Sequence, residues 1–222
     1  PIKSSAASDV YKRQIANLEA QGDKTLSAEV SGYEWAQIIK YLQNNTRLNK
    51  LVLTETMETP KGVPLALCFT DGTPDTREAI IAFKGTTGGD EWSDNVEGAI
   101  LRDTPDQIEA LEFVQGLPYA DITLTGHSKG GNKANYITIL CDKVTRCVGF
   151  DPQGFSQLFL NDPKYSKRIE ERASLIKNYS LSTDFVHILL YELPGAKQIF
   201  CKGFGVDLSL IHISEPTRLQ LI

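Results

Sequence analysis

Asp121-Ile-Thr-Leu-Thr-Gly-His-Ser-Lys-Gly-Gly131 is the stretch on which the fold turns. The run from Asp121 to Thr125 suits a buried strand, while Ala134, Ile137, Leu140 and Cys141 recur at helical spacing beyond Ser128. Between them stands Gly126-His127-Ser128-Lys129-Gly130, so the segment reads as strand, tight turn and helix with a serine at the apex. Such a turn needs glycine on both sides, because the backbone at the serine is strained and a nearby β-carbon would collide with the strand or the helix. Because chance also produces the five-residue pattern, alone it is a moderate signal. Its setting makes Ser128 the candidate nucleophile.

Working outward, Thr104-Pro105 opens a helix carrying Ile108, Leu111 and Gln115, and Cys147 to Phe150 reads as the strand that follows the Ser128 helix. Alternation of helix and strand predicts a parallel sheet. Upstream, Leu51 to Thr54, Pro64 to Phe69 and Ala79 to Phe83 are short strands separated by turn residues, which predicts an antiparallel start to that sheet. Tyr33 to Gln43 places Trp35, Ile38, Ile39 and Leu42 on one helical face, with a stop at Asn44-Asn45. Ala173 to Tyr179 and Lys197 to Cys201 are further strands, with a short helix from Phe185 to Tyr191 between them. No internal repeat is present.

Composition narrows the function classes. The 222 residues are 41% hydrophobic, enough for one well-cored domain. A net charge of -5 offers no basic stripe for nucleic acid, and no apolar run approaches the ~18 residues of a membrane span. A soluble chain is expected. Cys68, Cys141, Cys147 and Cys201 lie in apolar segments without the paired spacing of a metal site. Small buried hydrophobes are their expected role, which points to a reducing, cytoplasmic compartment.

Both ends carry a different signal. Asp9-Val-Tyr-Lys-Arg-Gln14 and Leu208-Ser-Leu-Ile-His-Ile213 are translations of the two strands of the transposon-end oligonucleotide used to tag sequencing libraries. The flanking Ser4 to Ser8 and Ser214 to Arg218 resemble translations of the adjoining adapter arms. Residues 1–14 and 208–222 are therefore expected to be adapter-derived, leaving a single native domain over 15–207 that is cut at both ends.

Several motifs together resemble the class 3, fungal-type lipases of the α/β-hydrolase superfamily. They are Ala82-Phe-Lys-Gly-Thr-Thr87, Asp90-Glu-Trp92, Asp94-Asn95, Gly126-His-Ser-Lys-Gly130, Phe150-Asp-Pro-Gln-Gly-Phe155 and Asp184-Phe-Val186. The likeness is closer still to a bacterial lipase-like family, and it spans about Leu51 to Asp207. It implies a three-layer α/β-hydrolase fold with a mostly parallel central sheet, truncated at its C-terminal end. It also implies a serine hydrolase of lipase or esterase type acting on acyl esters or lipid-like small molecules, without metal or cofactor.

A serine hydroxyl is a poor nucleophile until a histidine takes its proton and a carboxylate orients that histidine. The resemblance puts the acid at Asp184, and the polar loop Ser180-Leu-Ser-Thr-Asp184 directly beyond a strand agrees. An N-cap for the following helix is the competing role for Asp184, and Asp151 is the second candidate acid. The oxyanion donors are expected to be the backbone N–H groups of Thr86 and Lys129, with the Lys129 side chain solvated. Trp92 and Asp94 match a segment bracing the oxyanion loop.

Three histidines are available. His127 sits inside the turn and reads as structural, whereas His187 follows Asp184 too closely to reach a separate loop. His212 has the right chain order but lies in the adapter-like tail. The family places its histidine just beyond the segment seen here as Lys197 to Asp207, so the chain is expected to lack its native base unless the C-terminus is genuine and His212 serves. An acyltransferase or thioesterase would use the same residues, and a non-catalytic binding module could use the same fold.

Overall fold

The computed structural model describes residues 4–27, 30–85, 101–181 and 190–201, and the chain divides into two compact units, 1–52 and 53–222. In the first unit, helix α1 (Ser4–Glu19) packs on helix α2 (Gly32–Asn44), and strands β1 (Thr25–Ser27) and β2 (Val30–Ser31) form an antiparallel pair. α2 has the bounds that its apolar spacing predicts, to within a residue at each end. Ser31 starts it through a reciprocal capping box: its Oγ accepts from the Glu34 N–H at 3.3 Å, and its own N–H donates to the Glu34 carboxylate at 2.8 Å. α1 runs without a break across the Gln14–Ile15 boundary drawn from the adapter-like sequence.

Among the described residues, the second unit is built on a sheet of seven strands in sequential order, β3 (Val52–Glu58), β4 (Pro64–Thr70), β5 (Glu78–Phe83), β6 (Asp121–His127), β7 (Val144–Phe150), β8 (Ile176–Leu181) and β9 (Lys197–Cys201). β4 and β5 are antiparallel; β5 through β9 are parallel. Both the antiparallel start and the parallel continuation are as the sequence predicts. The strand expected over Ala173 to Tyr179 begins instead at Ile176, because Ala173–Leu175 forms a 3-10 turn at the end of the preceding helix.

Period-two burial shows which face carries the core. β5 buries Ala79, Ile81 and Phe83, β6 buries Ile122, Leu124 and Gly126, and alternate residues on both are more exposed. Against this sheet lies helix α4 (Lys129–Leu140), with α3 (Pro105–Gly116) and α6 (Pro163–Arg172) packed on α4; the short α5 (Gln157–Leu160) precedes α6. α4 is buried nearly all round, from Gly130 to Ile139, as expected of a helix sandwiched between a sheet and other helices. Phe159 fills the junction with α6, stacked on Phe155 and Tyr165 at centroid distances of 4.8 Å. The α5 and α6 helices carry no counterpart in the sequence reading, since α6 is strongly polar and buries only Tyr165 and Ile169.

Arg172 closes the C-terminal end of α4. Its guanidinium donates to the carbonyls of Thr138 (2.7 Å) and Cys141 (2.8 Å), groups that a helix end leaves without intrahelical partners, and to that of Val144 at the start of β7. Replacing Arg172 with methionine keeps the apolar stem and removes these donors. Urea unfolding of Arg172→Met is expected to show a loss of about 2 kcal/mol, with an unchanged denaturant slope.

Candidate active site

β6 ends at His127 and α4 begins at Lys129, which leaves Ser128 alone at the turn with φ 54° and ψ -124°. A side chain other than glycine in this conformation is strained by about 1–3 kcal/mol and persists only where its surroundings hold it. Those surroundings are visible. The Ser128 N–H donates to the Phe150 carbonyl at 3.0 Å, and the Ser128 carbonyl accepts from the N–H groups of Asn132 (3.0 Å) and Gln153 (3.3 Å).

The glycines flanking Ser128 are required by contact. A β-carbon on Gly126 would lie 2.4 Å from the carbonyl of Gly130, and one on Gly130 would lie 2.4 Å from the Phe83 oxygen and 2.8 Å from that of Lys84. Strand β6, helix α4 and the exit of β5 thus touch backbone to backbone. Gly85 extends the contact: its β-carbon would stand 2.7 Å from the His127 oxygen and 3.5 Å from the Ser128 Cβ. Gly85, which precedes the expected oxyanion donor Thr86 in sequence, therefore lies directly beside the serine. The Lys129 N–H, the other expected donor, belongs to the first residue of α4 after Ser128.

The side chain of Lys129 corrects one expectation. Its Nζ lies 3.0 Å from the Asp106 carboxylate and the side chain is 13% exposed, so it is paired rather than solvated. Lys133, one turn on, reaches the same carboxylate at 3.6 Å. Both lysines follow from helical spacing, because Lys129 and Lys133 share the face of α4 that meets the first turn of α3. Burial alone would raise the Asp106 carboxyl, but the Lys129 hydrogen bond and the charge of Lys133 hold it below the usual carboxylate range.

Asp151, the second candidate acid, follows β7 with φ 42° and is buried. Its N–H donates to the Tyr179 carbonyl at 2.8 Å, and its Oδ1 accepts from the Leu181 N–H at 2.7 Å. The carboxylate is thereby engaged in fastening the end of β8, the strand that leads toward Asp184. His127 is exposed and pairs in register with Phe150. Thr86, Trp92, Asp94, Asp184, His187 and His212 lie outside the described residues. Among the cysteines, Cys68, Cys141 and Cys147 are buried as expected, and burial pushes the Cys147 thiol up to about 12. Cys201 corrects that expectation, being exposed on the terminal strand of the sheet.

Two clusters around the turn were not read from the sequence: the lysine pair on Asp106, and a buried amide network joining Gln107, Asn132 and Gly154. A signal for the second was present in Thr104-Pro-Asp-Gln107, which has the spacing of a capping box and forms one.

A mostly parallel sheet flanked by helices, with a serine on a strained strand-to-helix turn after a central strand, is the architecture of the α/β-hydrolase fold. A family model described as a phospholipase-like, Tle-like phospholipase domain matches residues 4–202, and the chain belongs to that family. The lipase-like resemblance seen in the motifs is thus borne out. No curated protein sequence matches the chain. Among solved structures it is similar to M37 lipase (TM-score 0.42, 13% identity, covering 80% of this chain and 68% of that one). It is also similar to a Rhizomucor miehei lipase propeptide complex (TM-score 0.41, 13% identity, 86% and 68%). A third is MGS-MChE2, an α/β hydrolase enzyme from a sediment metagenome of the lagoon of Mar Chica, Morocco (TM-score 0.35, 14% identity, 72% and 93%).

Two predictions follow from the geometry around Ser128. Gly130→Ala should force α4 away from the exit of β5, with a stability loss of about 2 kcal/mol or more in denaturant titration. Asp106 has a lowered folded pKa, so its contribution is present above the ordinary carboxylate range and disappears as pH falls through the folded value. The stability gap between the natural chain and Asp106→Asn should therefore be widest near pH 7 and narrow toward pH 3, measured as the difference in urea midpoints.

Proposed function

We propose that the protein is a serine ester hydrolase of lipase or phospholipase type, with Ser128 as nucleophile and Asp184 as the acid of the triad. The strained Ser128 backbone carries this reading, because such a conformation lifts the hydroxyl clear of both strand and helix and presents it to a substrate carbonyl. The Tle-like phospholipase family supports an acyl ester of a phospholipid as the substrate class. The base is a histidine following β9 in chain order. His212 fills that place if residues 208–222 are native.

In the reaction, the histidine takes the Ser128 hydroxyl proton as Oγ attacks the ester carbonyl carbon. The oxyanion is held by the N–H groups of Lys129 and Thr86, each such donor being worth roughly 3 kcal/mol in the transition state. The tetrahedral intermediate collapses by expelling the alcohol, which leaves with the proton from the histidine. Water then attacks the acyl-enzyme with the same base, releasing the carboxylic acid and restoring the Ser128 hydroxyl. Asp184 orients the imidazole and stabilises its protonated form.

A fluorophosphonate probe tests the assignment on the protein that carries this histidine. Labelling is expected at Ser128, with complete loss in Ser128→Ala and a loss of 10³-fold or more in ester hydrolysis, on the order seen when a triad member is removed. Equal labelling of the Ser128→Ala protein would refute it.

A further inference from the structure

Ser128 keeps its strained backbone because of what is tied to it, and one buried polar network makes most of those ties. Asn132 lies one turn into α4 and is 7% exposed; its backbone N–H donates to the Ser128 carbonyl at 3.0 Å. Its side-chain Nδ2 donates to the carbonyls of Gly154 (2.7 Å) and Gln153 (3.2 Å), and its Oδ1 accepts from Gln107 Nε2 at 2.7 Å. Both amide hydrogens and the amide oxygen are engaged.

Gln107 completes the network. At 6% exposed, it uses Oε1 to accept from the Thr104 N–H at 2.8 Å, while its own N–H donates to Thr104 Oγ1 at 3.2 Å. The loop after β7 closes a ring, since the Gln153 N–H donates back to the Ser128 carbonyl. One further stitch joins the same two segments: Ser156 Oγ donates to the Leu101 carbonyl at 2.9 Å.

Three pieces of chain thus meet on one amide side chain: the first turn of α4, the 153–156 loop, and residues 101–107 at the start of α3. The last of these receives the chain returning from the segment that leaves β5 beside Ser128. An aliphatic residue of Asn132's volume would fill the space but leave the Gln153 and Gly154 carbonyls and the Gln107 amide without these partners. A buried network satisfied at every atom selects one arrangement of the groups it joins.

Taking Ser128 as the nucleophile, as in the proposed function, we propose that Asn132 and Gln107 are positioning residues that hold the Ser128 turn in its reactive geometry. The Asn132 side chain fixes the turn through the Gln153–Gly154 loop, whose Gln153 N–H shares the Ser128 carbonyl with the Asn132 backbone N–H. Gln107 acts through Asn132, by setting the plane of its amide. Neither side chain needs to touch substrate. Displacing a reacting atom by about 1 Å is enough to cost up to a hundredfold in rate.

The test measures the inactivation by a fluorophosphonate of the same histidine-bearing protein, separating the maximal rate constant from the probe's half-saturating concentration, at a temperature where circular dichroism shows each variant folded. In Asn132→Asp, carbonyl oxygens meet a carboxylate in place of a donor. The maximal rate constant is expected to fall by about tenfold to a hundredfold with the half-saturating concentration nearly unchanged. Gln107→Met, which keeps Asn132's own bonds to the loop, should fall by about threefold or more, and the double variant should fall by less than the product of the two. If Asn132→Asp does not fold, the Gln107→Met rate constant decides the matter. Folded variants that react at the natural rate overturn the positioning role and leave the nucleophile assignment standing. A natural chain that is not labelled at Ser128 overturns both.

Discussion

The structure around Ser128 depends on backbone touching backbone. α4 leaves the end of β6 at an angle that brings Gly130 against the carbonyls of Phe83 and Lys84 and against Gly126, with no room for a β-carbon on either glycine. Any side chain there would lift the helix off the sheet by roughly the thickness of a methyl group, a large displacement in an interior packed as densely as a crystal. Because β5 and β6 are parallel neighbours paired from Glu78↔Asp121 to Phe83↔Gly126, both strands end at the same level. The Lys84–Gly85 exit of β5 and the turn leaving β6 are therefore side by side before any catalytic residue is considered. Sheet order and two missing side chains together account for the proximity of Gly85 to Ser128.

The same level of the sheet holds a second strained residue. Ser128 and Asp151 both have positive φ, and each follows the last residue of a parallel strand, β6 and β7 respectively. The Ser128 N–H bonds to Phe150, the residue before Asp151, and the Asp151 N–H bonds to Tyr179 on β8. Asp151 then returns a side-chain bond to Leu181. Each strand end is thus pinned to the next one in the sheet, and the strain at one is supported by the hydrogen bonds of its neighbour. This coupling runs from the serine turn to the end of β8, three residues before Asp184.

Much of this could be read from residue types and spacing, and the exceptions have physical causes. The strands are legible because short apolar runs are separated by turn residues such as Thr59-Pro-Lys-Gly62 and Asp71-Gly72, and the Ser128 turn because two glycines flank a serine between a strand and a helix. α6 was not legible, since Lys164, Lys167, Arg168 and Arg172 make it polar while its role is to lend arginines to the end of α4. The pairing of Lys129 is hidden for a related reason: a charged residue on a helix is normally exposed, and its partner Asp106 lies on a different helix. Long-range polar pairing carries no periodic signature. Cys201 has apolar neighbours in sequence but stands on the last strand of the sheet, where alternation no longer implies burial.

The polar groups beneath the Ser128 turn follow from the sheet-and-helix contact itself. Forcing α4 against β6 without side chains at Gly126 and Gly130 leaves the loops above it, 101–107 and 151–156, close to the helix but with their own peptide groups to satisfy. Buried carbonyls such as those of Gln153 and Gly154 need donors that rigid secondary structure cannot offer there. A carboxamide at Asn132 meets the geometric need, because one short side chain supplies two donors and an acceptor in a plane. Gln107 suits the opposite position, being long enough to close the capping box at Thr104 while its amide nitrogen reaches Asn132. The close approach that exposes Ser128 thus also creates the demand that these two amides meet, so the geometry of the turn and the polarity of its support are one constraint expressed at two distances from the serine.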